Sequence, residues 1–97
     1  MKYICAMIGC CLALPPQAAL ANDAGQLLFN EKCTVCHALD SQKMGPAVKD
    51  MNKEPAALRG AITEGVDNAG PFPMPAFGEV LKPAEIDALM TYISGQQ

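Results

Sequence analysis

The sequence contains no tryptophan and few other aromatic residues, with three phenylalanines and two tyrosines among 97 residues. Basic residues are also scarce, because seven lysines and arginines stand against ten aspartates and glutamates, for a formal net charge of −3. No cluster of basic side chains could replace the counterions of a phosphate backbone, so the composition excludes a nucleic-acid partner. A basic protein partner remains compatible with this charge. The length allows a single domain.

The chain also lacks an apolar run long enough to cross a bilayer, since Tyr3 to Leu14 falls short of the roughly 20 residues that a membrane helix needs. The sequence Ala-Leu-Ala at 19–21 has the small residues that precede a signal-peptidase cut. We therefore expect residues 1–21 to be a signal peptide that is cleaved, which leaves residues 22–97 as the mature domain. Two alternatives stay open: the segment is retained as an anchor, or Cys10 carries a lipid.

Cleavage would remove three of the five cysteines and leave Cys33 and Cys36. The remaining 76 residues would carry six basic and ten acidic side chains, a net charge of −4. A domain near this size hides only about 60% of the surface that its unfolded chain exposes, and it usually needs a disulfide, a metal or a cofactor. We therefore expect such a stabilising group, and we expect no stable membrane insertion after cleavage.

No alternation of apolar and polar residues is present, so the sequence predicts helices and no strands. Asp23 can cap the first helix, with Gln26 three residues later completing a capping box. Pro55 and Pro83 suit the first positions of two further helices, and Gly65 can close the second helix in the left-handed conformation. The pattern therefore predicts three short helices, at residues 23–33, 55–65 and 83–95.

Two long segments between these helices lack any periodic pattern. Gly45 and Pro46 mark a turn in the first segment. The second, residues 66–80, holds too many prolines and glycines for regular structure. Loops of this length are unusual in so small a domain, unless they wrap a group that is not protein.

The only histidine directly follows the second of two cysteines, in the motif Cys-Thr-Val-Cys-His at residues 33–37. A thioredoxin-like redox pair needs a strand followed by a helix, and a structural zinc site needs about four ligands, so neither fits. A disulfide would close a very small loop and add little stability. The motif is the signature of covalent haem attachment, because two thiols on one helical turn can each bond one vinyl group. It therefore predicts one haem c, with thioethers at Cys33 and Cys36 and an axial iron ligand at His37.

The second axial ligand is expected from one of four methionines. Met90 lies on an apolar helix stripe, Met51 has no special context, and Met44 follows the histidine too closely to cross to the other haem face. Met74 lies in the stretch Gly-Pro-Phe-Pro-Met-Pro-Ala-Phe-Gly, whose prolines hold it extended and prevent a backbone ladder. Such stiffening lowers the entropy lost on binding, so we predict that Met74 is the ligand, the alternative being a methionine that merely packs against the haem edge.

Ligation by histidine and methionine has a functional consequence. Thioether sulfur raises the reduction potential, and two occupied axial positions leave no free site for oxygen or peroxide. The pattern therefore favours an electron carrier over an enzyme.

The stretches "GQLLFNEKCTVCH", "MGPAV", "MPAFG" and "LKPAEIDALMTYI" resemble soluble bacterial class I c-type cytochromes, and the resemblance covers nearly all of residues 23–95. It implies an all-α fold, the small cytochrome c fold, with three or so short helices and long loops wrapped around one covalently bound haem. It also implies that Gly25 and Phe29 of the first helix pack against Leu89 and Tyr92 of the last.

The same resemblance implies that the Pro46 carbonyl accepts a hydrogen bond from the second imidazole nitrogen of His37, which fixes the ring. One departure is Lys82, which stands where such proteins often carry a serine or threonine cap. Another is the short stretch before Met74, which leaves the haem propionates without an evident partner. Arg59 or Lys49 could pair with one propionate, but we expect both to be solvated charges.

The resemblance implies a monomeric carrier in the bacterial periplasm that moves single electrons, cycling Fe(III) and Fe(II). Its partners would be redox proteins, with a dehydrogenase or reductase on one side and an oxidase or another cytochrome on the other. One alternative is a haem subunit held permanently in a periplasmic oxidoreductase complex through an apolar patch. Phe72 and Phe77 are candidates for this patch, although Phe77 more often simply packs on the haem. A less favoured alternative is a haem sensor that binds a small ligand after Met74 leaves the iron.

Overall fold

The computed structural model describes residues 17–67 and 71–96. Residues 1–16, which form most of the expected signal peptide, lie outside the described residues. Within the described ranges no strand forms, and none of the helices is long and apolar enough to cross a membrane. The helices are α1 (Gln17–Lys32), a short 3-10 helix (Val48–Asp50), α2 (Pro55–Glu64) and α3 (Pro83–Ser94).

Helix α1 begins at Gln17, so the prediction that Asp23 caps its start is wrong. The residues from Gln17 to Asn22 are mostly alanine and leucine, which are strong helix formers, and the helix runs through Asp23 without a break. The predicted end is close to the observed one. Helix α1 ends at Lys32, and the Cys33 N–H still bonds to a helical carbonyl.

Helices α2 and α3 begin at Pro55 and Pro83, as the sequence predicts. The Ala57 N–H donates to Oε1 of Glu54 at 2.9 Å, so a carboxylate caps α2. Lys82 precedes α3 and has no side-chain acceptor, but its own N–H donates to Oε1 of Glu85 at 2.8 Å. Of the two hydrogen bonds of a capping box, the one accepted by the Glu85 side chain is therefore present.

Helices α1 and α3 cross at Gly25, and this contact confirms the packing that the resemblance implies. A Cβ atom at Gly25 would overlap the Ala88 carbonyl oxygen and lie 2.7 Å from Cβ of Tyr92. The rings of Phe29 and Tyr92 meet with centroids 5.5 Å apart at an angle of 51°. Leu89 is almost completely buried beside them.

The core draws on all three helices and on the loops between them. Leu58 and Ile62 bury the predicted stripe of α2, while Leu81 and Ile86 are buried near the start of α3. Burial of these side chains holds α2 and α3 against one another. The buried cluster consists of Phe29, Val48, Leu58, Ile62, Leu81, Ile86, Leu89, Tyr92 and Ile93.

The proline-rich segment is irregular, as predicted, with one exception. Val66 and Met74 form an isolated antiparallel bridge in which each N–H donates to the other residue's carbonyl at 3.0 Å. The prediction that no backbone ladder passes through this stretch is therefore wrong at Met74. Prolines remove the donors on either side, but Met74 keeps its own N–H.

Gly65 closes α2 with a positive φ of 78°, which confirms the expected glycine conformation in part. Its ψ of −178° is extended, so the residue does not adopt the compact left-handed helical conformation that the sequence predicts. The extended ψ directs the chain away from the helix axis and into the bridge with Met74.

Candidate functional site

All five site residues expected from the sequence or from the resemblance line one cavity, whose volume is about 550 Å³. This volume lies within the roughly 300–1,000 Å³ of small-molecule and cofactor sites. The five are Cys33, Cys36, His37, Pro46 and Met74. Most of the remaining wall is apolar, formed by side chains that include Phe29, Leu58, Ala61, Ile62, Val66, Phe77 and Ile93.

The cysteine–histidine motif lies in a turn that continues α1. The Cys36 and His37 N–H groups both donate to the Cys33 carbonyl, at 3.1 and 2.9 Å. The Lys43 ammonium donates to the Thr34 carbonyl at 2.6 Å and ties the turn to the following loop. These bonds present both thiols and the imidazole to the same cavity.

The two thiols are free, and their environment does not suit a redox-active dithiol or a structural zinc site. Burial, together with the neighbouring Cys36, raises the pKa of the Cys33 thiol to about 11. A redox-active dithiol has the opposite property, a lowered pKa that supplies thiolate at neutral pH. Among the described residues, no group of three or more histidine, cysteine, aspartate and glutamate side chains is placed to hold a metal ion.

His37 is buried, and its Nδ1 lies 2.8 Å from the Pro46 carbonyl oxygen. The carbonyl can only accept, so Nδ1 carries the proton and donates. Nε2 is thereby left as the nitrogen that can bind iron, and no hydrogen bond engages it within residues 17–67 and 71–96. The contact that the resemblance implies is thus present, while its role towards haem stays a prediction.

Gly45 explains how this loop approaches the imidazole so closely. A Cβ atom at Gly45 would lie 2.8 Å from Nδ1 of His37, which is shorter than a van der Waals contact. The Gly45 N–H donates to the Cys36 carbonyl at 2.8 Å, so the same residue is bonded to the motif. The sequence places Gly45 in a turn, but no local signal reveals its contact with the histidine.

Met74 is partly buried, lines the cavity and packs against the core. The loop around it is bonded to the end of α2, since the Phe77 N–H donates to the Ile62 carbonyl at 2.9 Å and the Gly78 N–H to the Thr63 carbonyl at 3.0 Å. With the bridge to Val66, these bonds make the loop that presents the thioether a well-anchored one.

The other three methionines of the mature domain occupy different positions relative to the cavity and the core. Met90 is partly buried against the core and does not line the cavity, which confirms its predicted packing role. Met51 packs against the core and reaches the cavity wall, while Met44 is exposed at the cavity mouth.

Arg59 and Lys49 lie away from the cavity, in keeping with the expectation that neither pairs with a propionate. Arg59 is exposed and pairs with Asp87 at 2.6 Å. Lys32 and Asp50 do line the cavity, and neither carries a sequence signal that could have identified it.

This donor set fits a covalently attached haem. Two thiols and an imidazole with an unengaged Nε2 share one cavity with a thioether, and the wall between them is largely apolar. Half-buried thiols and a largely apolar wall with few charges are what a large, flat hydrophobic group needs around it.

A family model described as cytochrome c oxidase, cbb3-type, subunit III, matches residues 20–93. The chain belongs to the cytochrome c family. It is 34% identical over 82 residues to cytochrome c-551 of Stutzerimonas stutzeri, which covers 76% of this chain and 79% of that protein. It is 37% identical over 89 residues to cytochrome c6 of Rippkaea orientalis, covering 84% of this chain and 77% of that protein.

A solved structure, cytochrome c from Rhodothermus marinus, superimposes with a TM-score of 0.60 at 26% identity. The likeness covers 86% of this chain and 83% of the other. The cytochrome c fold is therefore confirmed, as is membership of the monohaem class I cytochromes. The protein carries a covalent haem c and transfers electrons, and it is not an enzyme.

Proposed function

We propose that this cytochrome carries single electrons in the bacterial periplasm, with its haem bonded to Cys33 and Cys36 and its iron ligated by His37 and Met74. The observation that carries the proposal is the convergence of these four side chains on one largely apolar cavity. When bound, the haem supplies an iron that alternates between the ferric and ferrous states. The protein residues hold, orient and enclose it.

Each residue has a distinct part in the proposal. The two cysteines on the turn after α1 attach the group, and Pro46 holds the His37 ring through Nδ1 so that Nε2 faces the cavity. Met74 supplies sulfur from an anchored loop, which lowers the reorganisation that accompanies electron transfer. With His37 and Met74 both holding the iron, no coordination site would stay open to small ligands, which favours a carrier over a haem sensor.

The Met74→Ala variant tests this assignment. The reduced variant is expected to bind carbon monoxide rapidly and stoichiometrically and to have a lower midpoint potential, because an axial position opens. Met90→Leu is the matched control, since Met90 packs in the core away from the cavity and the exchange conserves volume. Unchanged carbon monoxide binding and potential in Met74→Ala would show that another group ligates the iron.

We also propose that partners dock at the exposed apolar rim of the cavity, formed by Val35, Met44 and Phe72. A patch of three side chains suits the small, short-lived interfaces of redox proteins. Phe77, the other candidate for this patch, is partly buried and packs against the core, which agrees with the inward-packing alternative for this residue.

Phe72→Ser should therefore slow electron self-exchange between two copies, measured by NMR on mixtures of the oxidised and reduced protein, without changing the midpoint potential. Val80→Ser is the control, because Val80 is equally exposed but does not line the cavity. Equal self-exchange rates for both variants would show that the rim is not part of the docking surface.

The alternative of a permanently bound subunit is supported by the description of the matching family, which names an oxidase subunit. Gel filtration of a native periplasmic extract, followed by haem absorbance, separates the two. A free carrier elutes at the size of a small monomer, whereas a subunit elutes with a large complex.

For the leader, we propose cleavage after Ala21. The cut would remove the first five residues of α1 and leave Asp23 in its first turn, where a carboxylate is favourable. The intact mass of the exported protein should equal the polypeptide from Asn22 plus one haem. A mass that retains residues 1–21, or that adds a lipid on Cys10, contradicts this proposal.

A further inference from the structure

Gly65 lies directly after α2, against the loop that carries Met74. Its φ of 78° and ψ of −178° place it in a region open essentially to glycine alone. A Cβ atom at Gly65 would lie 2.5 Å from the Met74 carbonyl oxygen and 3.0 Å from both the Pro75 carbonyl carbon and the Ala76 nitrogen. The backbone conformation and the contact exclude a side chain independently.

We propose that Gly65 is a positioning residue for Met74. Its missing side chain lets the end of α2 pack directly on the Met74–Pro75 peptide, and this contact sets how far the thioether reaches into the cavity. The inference rests on the proposed role of Met74 as an iron ligand.

The hydrogen bonds next to this contact explain how a change at Gly65 would reach Met74. The extended ψ of Gly65 brings Val66 into register with Met74, where the two residues exchange a pair of N–H···O bonds at 3.0 Å. A side chain at Gly65 would have to push the Met74 carbonyl away, and that carbonyl is the acceptor of one of these bonds. The ligand loop would therefore shift as a unit relative to α2.

The attachment chemistry stands on a different element. Cys33, Cys36 and His37 follow α1, and their turn is held by bonds that involve neither α2 nor the Met74 loop. A displaced Met74 loop should therefore weaken the bond between sulfur and iron while leaving the haem covalently attached. This separation gives the proposal a readout that a general loss of stability would not produce.

The Gly65→Ala variant is the test. The purified haem protein, reduced and at neutral pH, is expected to bind carbon monoxide about tenfold faster than the native protein. The reason is that an alanine at position 65 would strain the backbone and so favour the state in which Met74 has left the iron. The midpoint potential of this variant should fall, and its intact mass should still include one haem. Gly60→Ala is the matched control, since it lies in the same α2 with open space at its Cβ position, and its carbon monoxide binding and midpoint potential should be those of the native protein.

Met74→Ala, measured in parallel, distinguishes the possible failures. If Met74→Ala opens the iron but Gly65→Ala behaves as native, the positioning role is wrong and the ligand assignment stands. If Met74→Ala itself remains closed to carbon monoxide, the ligand assignment is wrong and the inference is overturned with it.

If Gly65→Ala yields no haem protein, the double variant Gly60→Ala/Gly65→Ala repeats the measurement with a more stable helix. Loss of haem protein there as well would overturn the proposal, because it would show that Gly65 is needed for folding as a whole. Faster carbon monoxide binding in the double variant than in Gly60→Ala alone supports it.

Discussion

At the scale of single residues, the imidazole of His37 is held from two sides by backbone groups. Pro46 accepts the Nδ1 hydrogen, and Gly45 packs against the ring with no side chain between them. The ring therefore has one orientation in which it keeps its hydrogen bond. Such a fixed orientation matters because it decides where Nε2 points.

Replacing Gly45 by alanine should disturb this arrangement. The new Cβ would lie 2.8 Å from Nδ1, so the loop or the ring must move and the bond to Pro46, worth about 1 kcal/mol, should weaken. Exchange of the imidazole N–H with solvent, followed by NMR, is expected to become faster. Gly95→Ala serves as control, because the Cβ contacts there are ordinary at 3.6 Å, and an unchanged exchange rate in Gly45→Ala would contradict the prediction.

Phe29 shows how much one core residue contributes. It is 2% exposed, contacts Tyr92 and also reaches the cavity wall. Phe29→Ala should lower the free energy of unfolding by about 3–5 kcal/mol, measured by chemical denaturation. Leu27→Ala on the same helix is 65% exposed and should change it by less than about 0.5 kcal/mol. Similar effects from both variants would mean that the crossing of α1 and α3 is not the centre of the core.

At the scale of elements, the two helices that begin with proline were predictable and the first helix start was not. Pro55 and Pro83 act through their own ring geometry, which needs no tertiary information. Asp23 has the residue type of a cap, but the alanine-rich turn before it extends the helix. The two effects differ by little free energy, so a local rule could not decide between them.

Gly60 offers a test of what α2 itself contributes. It lies inside the helix, and nothing stands within 4 Å of the position of an added Cβ. Gly60→Ala should therefore stabilise the protein by about 0.5–1 kcal/mol, visible as a higher denaturation midpoint.

Gly78→Ala should have the opposite effect. Its new Cβ would lie 2.9 Å from Thr63, so this variant should destabilise the protein. If both variants were stabilising, the close contact between the Met74 loop and the end of α2 would not be as tight as the structure has it.

At the scale of the whole molecule, a cavity of about 550 Å³ lies beside the buried core. Four of the nine residues of the buried cluster, Phe29, Leu58, Ile62 and Ile93, also form the cavity wall. A domain this small cannot leave so large an apolar surface wet and stay folded. A haem held in this cavity, as proposed, would therefore form part of the core.

The double variant Cys33→Ala/Cys36→Ala should accordingly be exported without haem and lose most of its helical circular dichroism. The physical reason is that the apolar cavity wall would then face water. Met74→Ala is the control, because it keeps both attachment cysteines and should keep its helicity. A colourless double variant with native helical content would show that the polypeptide folds without its cofactor.

Much of the chemistry of this protein was determined by the sequence alone. The two thiols and the imidazole occupy five consecutive residues, so their spacing on a turn follows from local geometry, and the prolines around Met74 predict a loop wherever the rest of the chain lies. The contacts that aim these groups were decided only by the tertiary structure. Gly45 meets His37 across eight residues and Gly65 meets Met74 across nine. Such contacts depend on how loops close over the core, and no local preference of either residue encodes that closure.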